Sequence, residues 1–503
     1  MIALLLLLAV VWFFVYHFHL KRRNLPPGPT PLPPAGNLHK FRETGDEQQA
    51  EWHRQYGDVF TLWMGKEPMV VVADHQLMVD AFVKDGEAYV GRGVESDFQH
   101  AIRGGPYGII LGEGDSWREQ RRFALHVLRD FGLGKNLMQE KILEEVETLC
   151  DRVSKQALGG ADVDIADLID ISVGSIINCV MFSYRYDTEE RLAEFHDLRS
   201  RARHFMAISG NPLFIAMRSS GQVNIFKHLP VLAPIYREAH KAGNYLVDFF
   251  RQRAREYEEM IQRNPEELDE EPSDYVRAFL QEQRKQREAG NTDSFTQKQL
   301  VCNLFDLWIA GQETTSNTIG WGLAYLIHNP RLQERLHEEL DRVVGSDRPV
   351  TLADKPELPL FCAFVNETQR IANLVPINVI HKTTRDVRIG KFAIKKNTWI
   401  VPQVSILLYD PNVFEDPKIF NPDRFLDENG RLKKVDELLP FSLGKRACLG
   451  EGLARMELFL FMVNLLNRFK LHPSDNLPCL ERRMGVTVRP EDFKCRMERR
   501  YAQ

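Results

Sequence analysis

From Thr296 to Asn329 the chain runs about 34 residues without a proline. A helix over that span is roughly 50 Å long. Leu300, Leu304, Leu307, Trp308 and Ile309 make it apolar on several faces. Such a helix is covered on all sides and must cross the middle of a large domain. Thr296-x-x-Gln299 has the form of a capping box that starts it, and Pro330 ends it. Length alone, 503 residues, suggests about three domains. A central helix of this size, helices outnumbering strands, and the absence of repeats or βαβ alternation favour one large domain. The expected fold class is mainly α with small β-sheets (α+β).

Other segments fill in around it. Residues 59–63 and 69–73 read as a β-hairpin across Gly65 to Pro68. Residues 91–115, broken by Gly104-Gly105-Pro106, read as a long loop. Helical pattern runs from Trp117 to about Cys150, with punctuation near Gly132 and Gly134, and again over about 164–260. Residues 264–295 carry a short helix between loops. More helix follows to about Val344 and over 358–372, with strand-like runs at 378–389 and 398–406. The chain is loop-rich after Pro411 to Phe441, then helical from Leu449 to about Phe469.

The amino terminus stands apart. Ile2 to Tyr16 is almost unbroken Leu, Val, Ala, Phe and Trp, and Lys21-Arg22-Arg23 follows. Twenty helical residues match a bilayer core. Basic residues after the run, rather than before it, fit an uncleaved anchor with the body on the cytosolic face. Residues 1–20 are therefore expected to be a transmembrane anchor. Residues 21–36, with Pro26-Pro27-Gly28-Pro29, Pro31, Pro33 and Pro34, are expected to be a stiff basic and proline-rich linker. Residues 37–503 form the globular domain.

Composition narrows the function. Apolar residues are 44% and charged residues 27%, which excludes a disordered chain. Net charge is -5, without the basic excess of a nucleic-acid binder. A mean hydropathy of -0.32 excludes a polytopic membrane protein. The seven cysteines, at 150, 179, 302, 362, 448, 479 and 495, form no framework.

Cys448 differs from the rest. It sits in Phe441-Ser-Leu-Gly444-Lys-Arg446-Ala-Cys448-Leu-Gly450, just before a helical run. Glycines permit close approach of a flat ligand, and a helix N-terminus and nearby cation favour thiolate. A thiolate is an axial ligand that promotes O–O cleavage on haem iron. F-x-x-G-x-R-x-C-x-G resembles the haem-binding signature of the cytochrome P450 family, with all five fixed positions matched. The stretch Asp416 to Lys470 is especially similar to the microsomal drug- and lipid-oxidising branch, and resemblance covers nearly the whole chain.

That resemblance implies a cytochrome P450 fold with the long helix over haem b, and Cys448 as the iron ligand. Phe441, Gly444 and Gly450 would belong to the cofactor-binding loop. Ala310-Gly311-Gln312-Glu313-Thr314-Thr315 resembles the family's oxygen-activation motif. Ala310 and Thr314 share a helix face. Gly311 costs about 1 kcal/mol inside a helix, and close approach of haem and O2 would supply its reason. Thr314 and Glu313 would relay protons. Trp117, Arg121, His381 and Arg446 match propionate-binding positions, the charge of His381 being open. Glu367-x-x-Arg370, with Arg424 from Phe420-Asn421-Pro422-Asp423-Arg424-Phe425, would form a structural Glu-Arg-Arg cluster. The same spacing at Glu51/Arg54, Glu119/Arg122, Glu339/Arg342 and Glu428/Arg431 reads as surface helix pairs.

The implied function is a membrane-anchored monooxygenase of the endoplasmic reticulum. It would insert one oxygen atom from O2 into a lipophilic substrate by hydroxylation or epoxidation. No G-x-G-x-x-G fingerprint is present, so electrons from NADPH would come through a flavoprotein reductase, with cytochrome b5 as a further partner. Arg118, Arg121, Arg122, Arg129 and Lys135, with Lys433, Lys434 and Lys445, suggest a basic docking face. By analogy Phe98, Ile102, Ile109, Ile110, Phe305, Val375, Ile377 and Val486, in segments that include Met484, would line an apolar pocket, with Asn378 adding a polar contact. Pro212 to Met217 reads either as a membrane-dipping segment or as a buried helix turn. Two other classes stay in view. One is an electron-independent haem-thiolate isomerase or dehydratase of lipid peroxides, against which Glu313-Thr314 argues. The other is a non-catalytic haem-binding sensor, against which the complete relay argues.

Overall fold

The computed structural model describes residues 2–501 except 19, 33–34, 42–44, 94–96, 132–135, 220–226, 292 and 483–484. Gly132, Gly134, Lys135 and Met484 lie outside the described residues.

The central helix spans Gln297–His328, 32 residues. The Thr296 hydroxyl accepts from Gln299 N at 3.2 Å. Only half of the expected capping box forms: the Gln299 side chain is buried and donates to Asn303 Oδ1 at 2.9 Å instead of reaching back. The helices Ile165–Phe182, Ala233–Arg263, Pro359–Ala372 and Glu451–Arg468 pack around it. Ile165–Phe182 is apolar enough to cross a membrane, but 83% of it is buried inside the protein. It is a core helix.

Among the described residues three small sheets flank the helices. β1 (Val59–Met64) and β2 (Glu67–Val72) form the expected hairpin. β2 continues in parallel to β7 (Trp399–Pro402), which pairs antiparallel with β4 (His381–Lys382), and β4 with β3 (Gly91–Arg92). β5 (Val387–Ile389) pairs with β6 (Phe392–Ile394), and β8 (Phe469–Pro473) with β9 (Cys495–Arg499).

Two segments depart from expectation. Within 91–115, Asp97–Arg103 is a helix rather than loop. Phe98 and Ile102 are one turn apart and both buried, and the Phe98 ring packs 4.8 Å from that of Phe214. The strand-like run 398–406 stops at Pro402, and Val404–Leu408 is helical. Asn378 Oδ1 accepts from Val404 N at 3.0 Å and thereby starts that short helix.

The amino-terminal helix Ile2–Phe18 exposes Leu5, Leu8, Val11, Trp12, Phe13 and Phe14. The proline segment beyond it is seated on β1: Thr61 N donates to Pro27 O at 2.8 Å, and Pro26, Pro29 and Pro31 are buried.

Candidate functional site

The Phe441–Gly450 loop is closed by Cys448 N donating to Phe441 O at 2.9 Å. Gly444 has φ +78°, and a Cβ there would lie 2.0 Å from Phe82 O. Its smallness serves contact with the protein backbone. Around Gly450, by contrast, no such protein contact exists within 4 Å. Of the seven cysteines Cys448 alone is exposed. Surrounding protein nonetheless pushes its thiol pKa up, while the Gly450 N–H, Arg121 and Arg455 pull it down. The helix terminus and cations pull in the expected direction but do not outweigh desolvation by the surrounding protein. A coordinated metal ion deprotonates such a thiol outright.

Cations converge beside this loop. Arg446 is buried and donates to Val90 O (2.8 Å), Ile109 O (3.3 Å) and Gly112 O (2.5 Å). Burial, then Arg92 and Arg121, depress its pKa to about 7. Arg92, also buried, donates to Ile110 O at 2.9 Å, and its pKa falls to about 9, chiefly through burial and then Arg121. The β3–β4 register sets Arg92 directly opposite His381. His381 is buried and bonded through Nδ1 to Tyr89 O at 2.8 Å. Burial, then Arg92, holds its pKa well below the usual value, so the ring is neutral. The nearby carboxylate Glu113 is engaged by Lys382 at 3.0 Å and by the Arg92 N–H. Three guanidiniums in a poorly solvated place call for further anions. Two propionate carboxylates next to a thiol ligand fit this donor set, and haem fits with them.

Two expected propionate donors also make bonds within the protein, and Arg121 keeps its other N–H groups. Trp117 Nε1 donates to Ile109 O at 3.1 Å, and Arg121 to Ala447 O at 2.6 Å. Arg92 is the residue that sequence reasoning missed. Its signal is a lone arginine between Gly91 and Gly93.

Ile109 and Ile110 tie this cluster to the central helix. Ile110 N donates to Asp306 Oδ2 at 2.8 Å. Asp306 is buried and pairs with buried Arg103 at 2.7 Å. Ala310 lies one turn beyond Asp306, so the two share a face. The middle of the central helix is buried except over Ala310, Gly311, Glu313 and Thr314, of which Ala310 is exposed. The Thr314 hydroxyl donates to Ala310 O at 2.6 Å, which leaves its oxygen lone pairs to accept. The reason for Gly311 differs from expectation. A Cβ there would sit 2.9 Å from Ile177 Cδ1, so the glycine permits the close crossing of Ile165–Phe182. Burial raises the Glu313 pKa to about 7, against Arg203, which lowers it.

Glu367 and Arg370 are completely buried and bonded twice, at 2.7 and 2.8 Å. Arg424 Nε adds a contact to Glu367 at 3.2 Å. The two arginines also donate to carbonyls of Leu408, Glu415, Pro417 and Ile419. Of the other Glu-x-x-Arg spacings, Glu339 is no surface residue. It is buried and accepts from Leu360 N and Phe361 N, capping the helix Pro359–Ala372.

The anticipated pocket residues separate. Phe98, Ile102, Ile109 and Phe305 are buried, and Ile110, Val375 and Ile377 partly so. Val486 is 37% exposed. The Asn378 carbonyl accepts from Val404 N, so any further polar contact falls to its amide NH2. Pro212–Ser219 is a helix that buries Phe214 and Met217 and exposes Leu213. Among the basic residues, Arg118 pairs with Glu87 and Asp115, Lys434 with Asp436, and Lys445 with Glu87. Arg122 and Arg129 are exposed without an ion-pair partner among the described residues.

A helical body around one long helix, with an exposed cysteine and a ring of arginines, defines a haem-thiolate protein. The sequence model described as cytochrome P450 matches residues 26–497. Cytochrome P450 2B4 of Oryctolagus cuniculus is 33% identical over 99% of this chain and 98% of its own length. Cytochrome P450 2A4 of Mus musculus is 36% identical over 89% of this chain and 87% of its own. Cytochrome P450 2A6 of Homo sapiens is 33% identical over 95% and 93%. The chain belongs to the cytochrome P450 family. It is a membrane-associated haem-thiolate monooxygenase supplied with NADPH electrons by a reductase, acts on lipophilic substrates, and associates with the endoplasmic reticulum membrane. Neither the isomerase nor the sensor reading is favoured.

Proposed function

We propose that Cys448 ligates the haem iron, that Arg92, Arg446, Arg121 and His381 receive the propionates, and that Ala310 to Thr314 form the wall where O2 is handled. The convergence of Arg92, Arg121 and Arg446 beside Cys448, without enough carboxylate, carries this reading. Haem supplies the oxygen activation: two electrons and two protons split O2, one atom leaves as water, and the other enters a C–H or C=C bond.

The chain's own residues do the rest. The Thr314 hydroxyl, held by Ala310 O, accepts and passes a proton at its oxygen. Glu313, half protonated near neutral pH, feeds that hydroxyl. Trp117 stacks on Arg446 and keeps its guanidinium in place. Glu367, Arg370 and Arg424 fix the carbonyl-rich loop that precedes Cys448. Phe98, Ile102, Ile109 and Phe305 offer an apolar surface to substrate.

Residues 1–20 anchor the protein, 21–36 link it, and 37–503 form the catalytic domain. The exposed apolar faces of Ile2–Phe18 support the anchor. The hydrogen bond from Thr61 N of β1 to Pro27 O supports a fixed angle to the membrane. Arg122 and Arg129 receive the reductase, and cytochrome b5 uses the same face. Spectral titration of the ferric protein with a panel of fatty acids, steroids, terpenoids and xenobiotics tests the substrate reading. Saturable low-spin to high-spin conversion by at least one lipophilic class supports it, and none by any class opposes it.

A further inference from the structure

The apolar surface assigned to substrate carries two cations. Phe98 and Ile102 lie one turn apart on the helix Asp97–Arg103. The Phe98 ring packs 4.8 Å from that of Phe214 and 5.8 Å from that of Tyr236, and the Phe305 ring lies 6.0 Å from that of Phe205. The Arg103 guanidinium sits 4.6 Å over Phe305, and that of Arg218 sits 5.8 Å over Phe214.

The two cations are not alike. Arg103 has its counterion in Asp306 at 2.7 Å, and Asp306 also accepts from Ile110 N at 2.8 Å. Arg218 has none. It is half-buried, its Nε is buried without a hydrogen-bond partner, and its side chain makes no hydrogen bond or ion pair among the described residues. Residues 219–226, which follow it in the chain, contain no acid. Burial, then the charge of Arg103, pulls the Arg218 pKa down to about 10, so the group is still protonated at neutral pH. Two guanidiniums and one carboxylate leave an excess of one positive charge over an aromatic floor. A cation taken from water without a counterion is costly. A carboxylate matches the planar guanidinium fork with its two oxygens.

We propose that Arg218, with Arg103 beside it, anchors an anionic head group, so that the enzyme takes long-chain carboxylic acids with the carboxylate on Arg218 and the hydrocarbon chain along Phe98, Ile102 and Phe305. The inference rests on the reading of those three residues as the substrate surface and names the substrate class for it. Arg103 stays with Asp306, and the bound carboxylate supplies the charge that Arg218 lacks. One fixed end limits which carbons of a flexible chain reach the wall formed by Ala310 to Thr314. A neutral lipophile of the same length binds by apolar contact alone.

The test is spectral titration of the ferric holoenzyme with dodecanoic acid, its methyl ester and 1-dodecanol. Arg218→Gln keeps a hydrogen-bonding side chain and removes the charge. It should raise the Kd of the acid about 10- to 100-fold, the worth of one charge-assisted bond, and leave the Kd of the ester and of the alcohol unchanged. Arg218→Lys, which keeps the charge, should restore most of the loss. Products from the acid should spread over more carbons in Arg218→Gln, while those from the ester stay as in wild type. If Arg218→Gln does not fold, a crystal structure of wild type with dodecanoic acid decides: the carboxylate within hydrogen-bond distance of Arg218 supports the proposal, and a carboxylate placed elsewhere overturns it. An unchanged acid-to-ester Kd ratio in Arg218→Gln overturns the anchor and leaves the substrate surface standing. The same unchanged ratio with weaker binding of the full chain to phosphatidylserine vesicles assigns the cation to the lipid surface and also overturns it. No spin-state shift in wild type with acid, ester or alcohol would remove the substrate surface itself.

Discussion

The guanidinium of Arg446 lies 3.4 Å from the centre of the Trp117 indole ring, two residues before Cys448 in the chain. The stack orients a cation that burial and neighbouring arginines otherwise disfavour. Arg446→Leu should therefore loosen haem, besides stranding the carbonyls of Val90, Ile109 and Gly112. Haem transfer to apomyoglobin should run about 10- to 100-fold faster, the worth of one charge-assisted bond to a carboxylate. Arg92→Met should act alike. Unchanged transfer rates in both would remove the propionate assignment.

Glu367 and Arg370 are both fully buried, so removal of Arg370 leaves the Glu367 carboxylate charged with only the longer Arg424 contact as counterion. Arg370→Met should cost about 3–5 kcal/mol of stability. Arg424, which makes one longer contact at the edge of the cluster, should cost less when replaced by Met. Denaturant melts of the three proteins give the ordering, and equal losses would contradict it.

Glu313 has a pKa raised to about 7 in the folded protein. A raised carboxyl pKa means that the folded form holds its proton more tightly than the unfolded one. Its stabilising contribution is full below the unfolded value near 4.5 and is lost as pH rises through about 7. Glu313→Gln lacks this titration. Relative to wild type it should gain on the order of 2–3 kcal/mol between pH 5 and pH 8. Parallel stability curves for the two proteins would show that Glu313 titrates normally.

Arg122 and Arg129 stand exposed and without ion-pair partners among the described residues on the helix Gly114–Asp130. Reversal of either to Glu should slow reductase-supported turnover more at low salt than at high salt, because screening removes long-range attraction. Equal turnover of mutant and wild type at low salt counts against a docking role.

Periodicity made the large elements legible. The central helix, the β1–β2 hairpin and the helix after Cys448 follow from patterns that depend on local chemistry alone. What escaped depends on partners distant in sequence. Gly311 looks like a ligand approach until Ile177 is seen against it. Gly444 likewise answers to Phe82. Glu339 shares its spacing to Arg342 with Glu367 and Arg370, yet caps a neighbouring helix. Arg92 gains its meaning only from the strand register that sets it beside His381. Asp97–Arg103 was hidden because its helical signal is two buried residues, Phe98 and Ile102, inside a glycine-rich stretch. The Cys448 loop was readable because many of its constraints are local.

The carbon monoxide difference spectrum of the reduced protein bears on the central claim most directly. Wild type should show the thiolate-ligand band, and Cys448→Ala reconstituted with haem should lose it. A wild-type protein without that band, or a Cys448→Ala protein that keeps it, would contradict the assignment of Cys448 as the iron ligand.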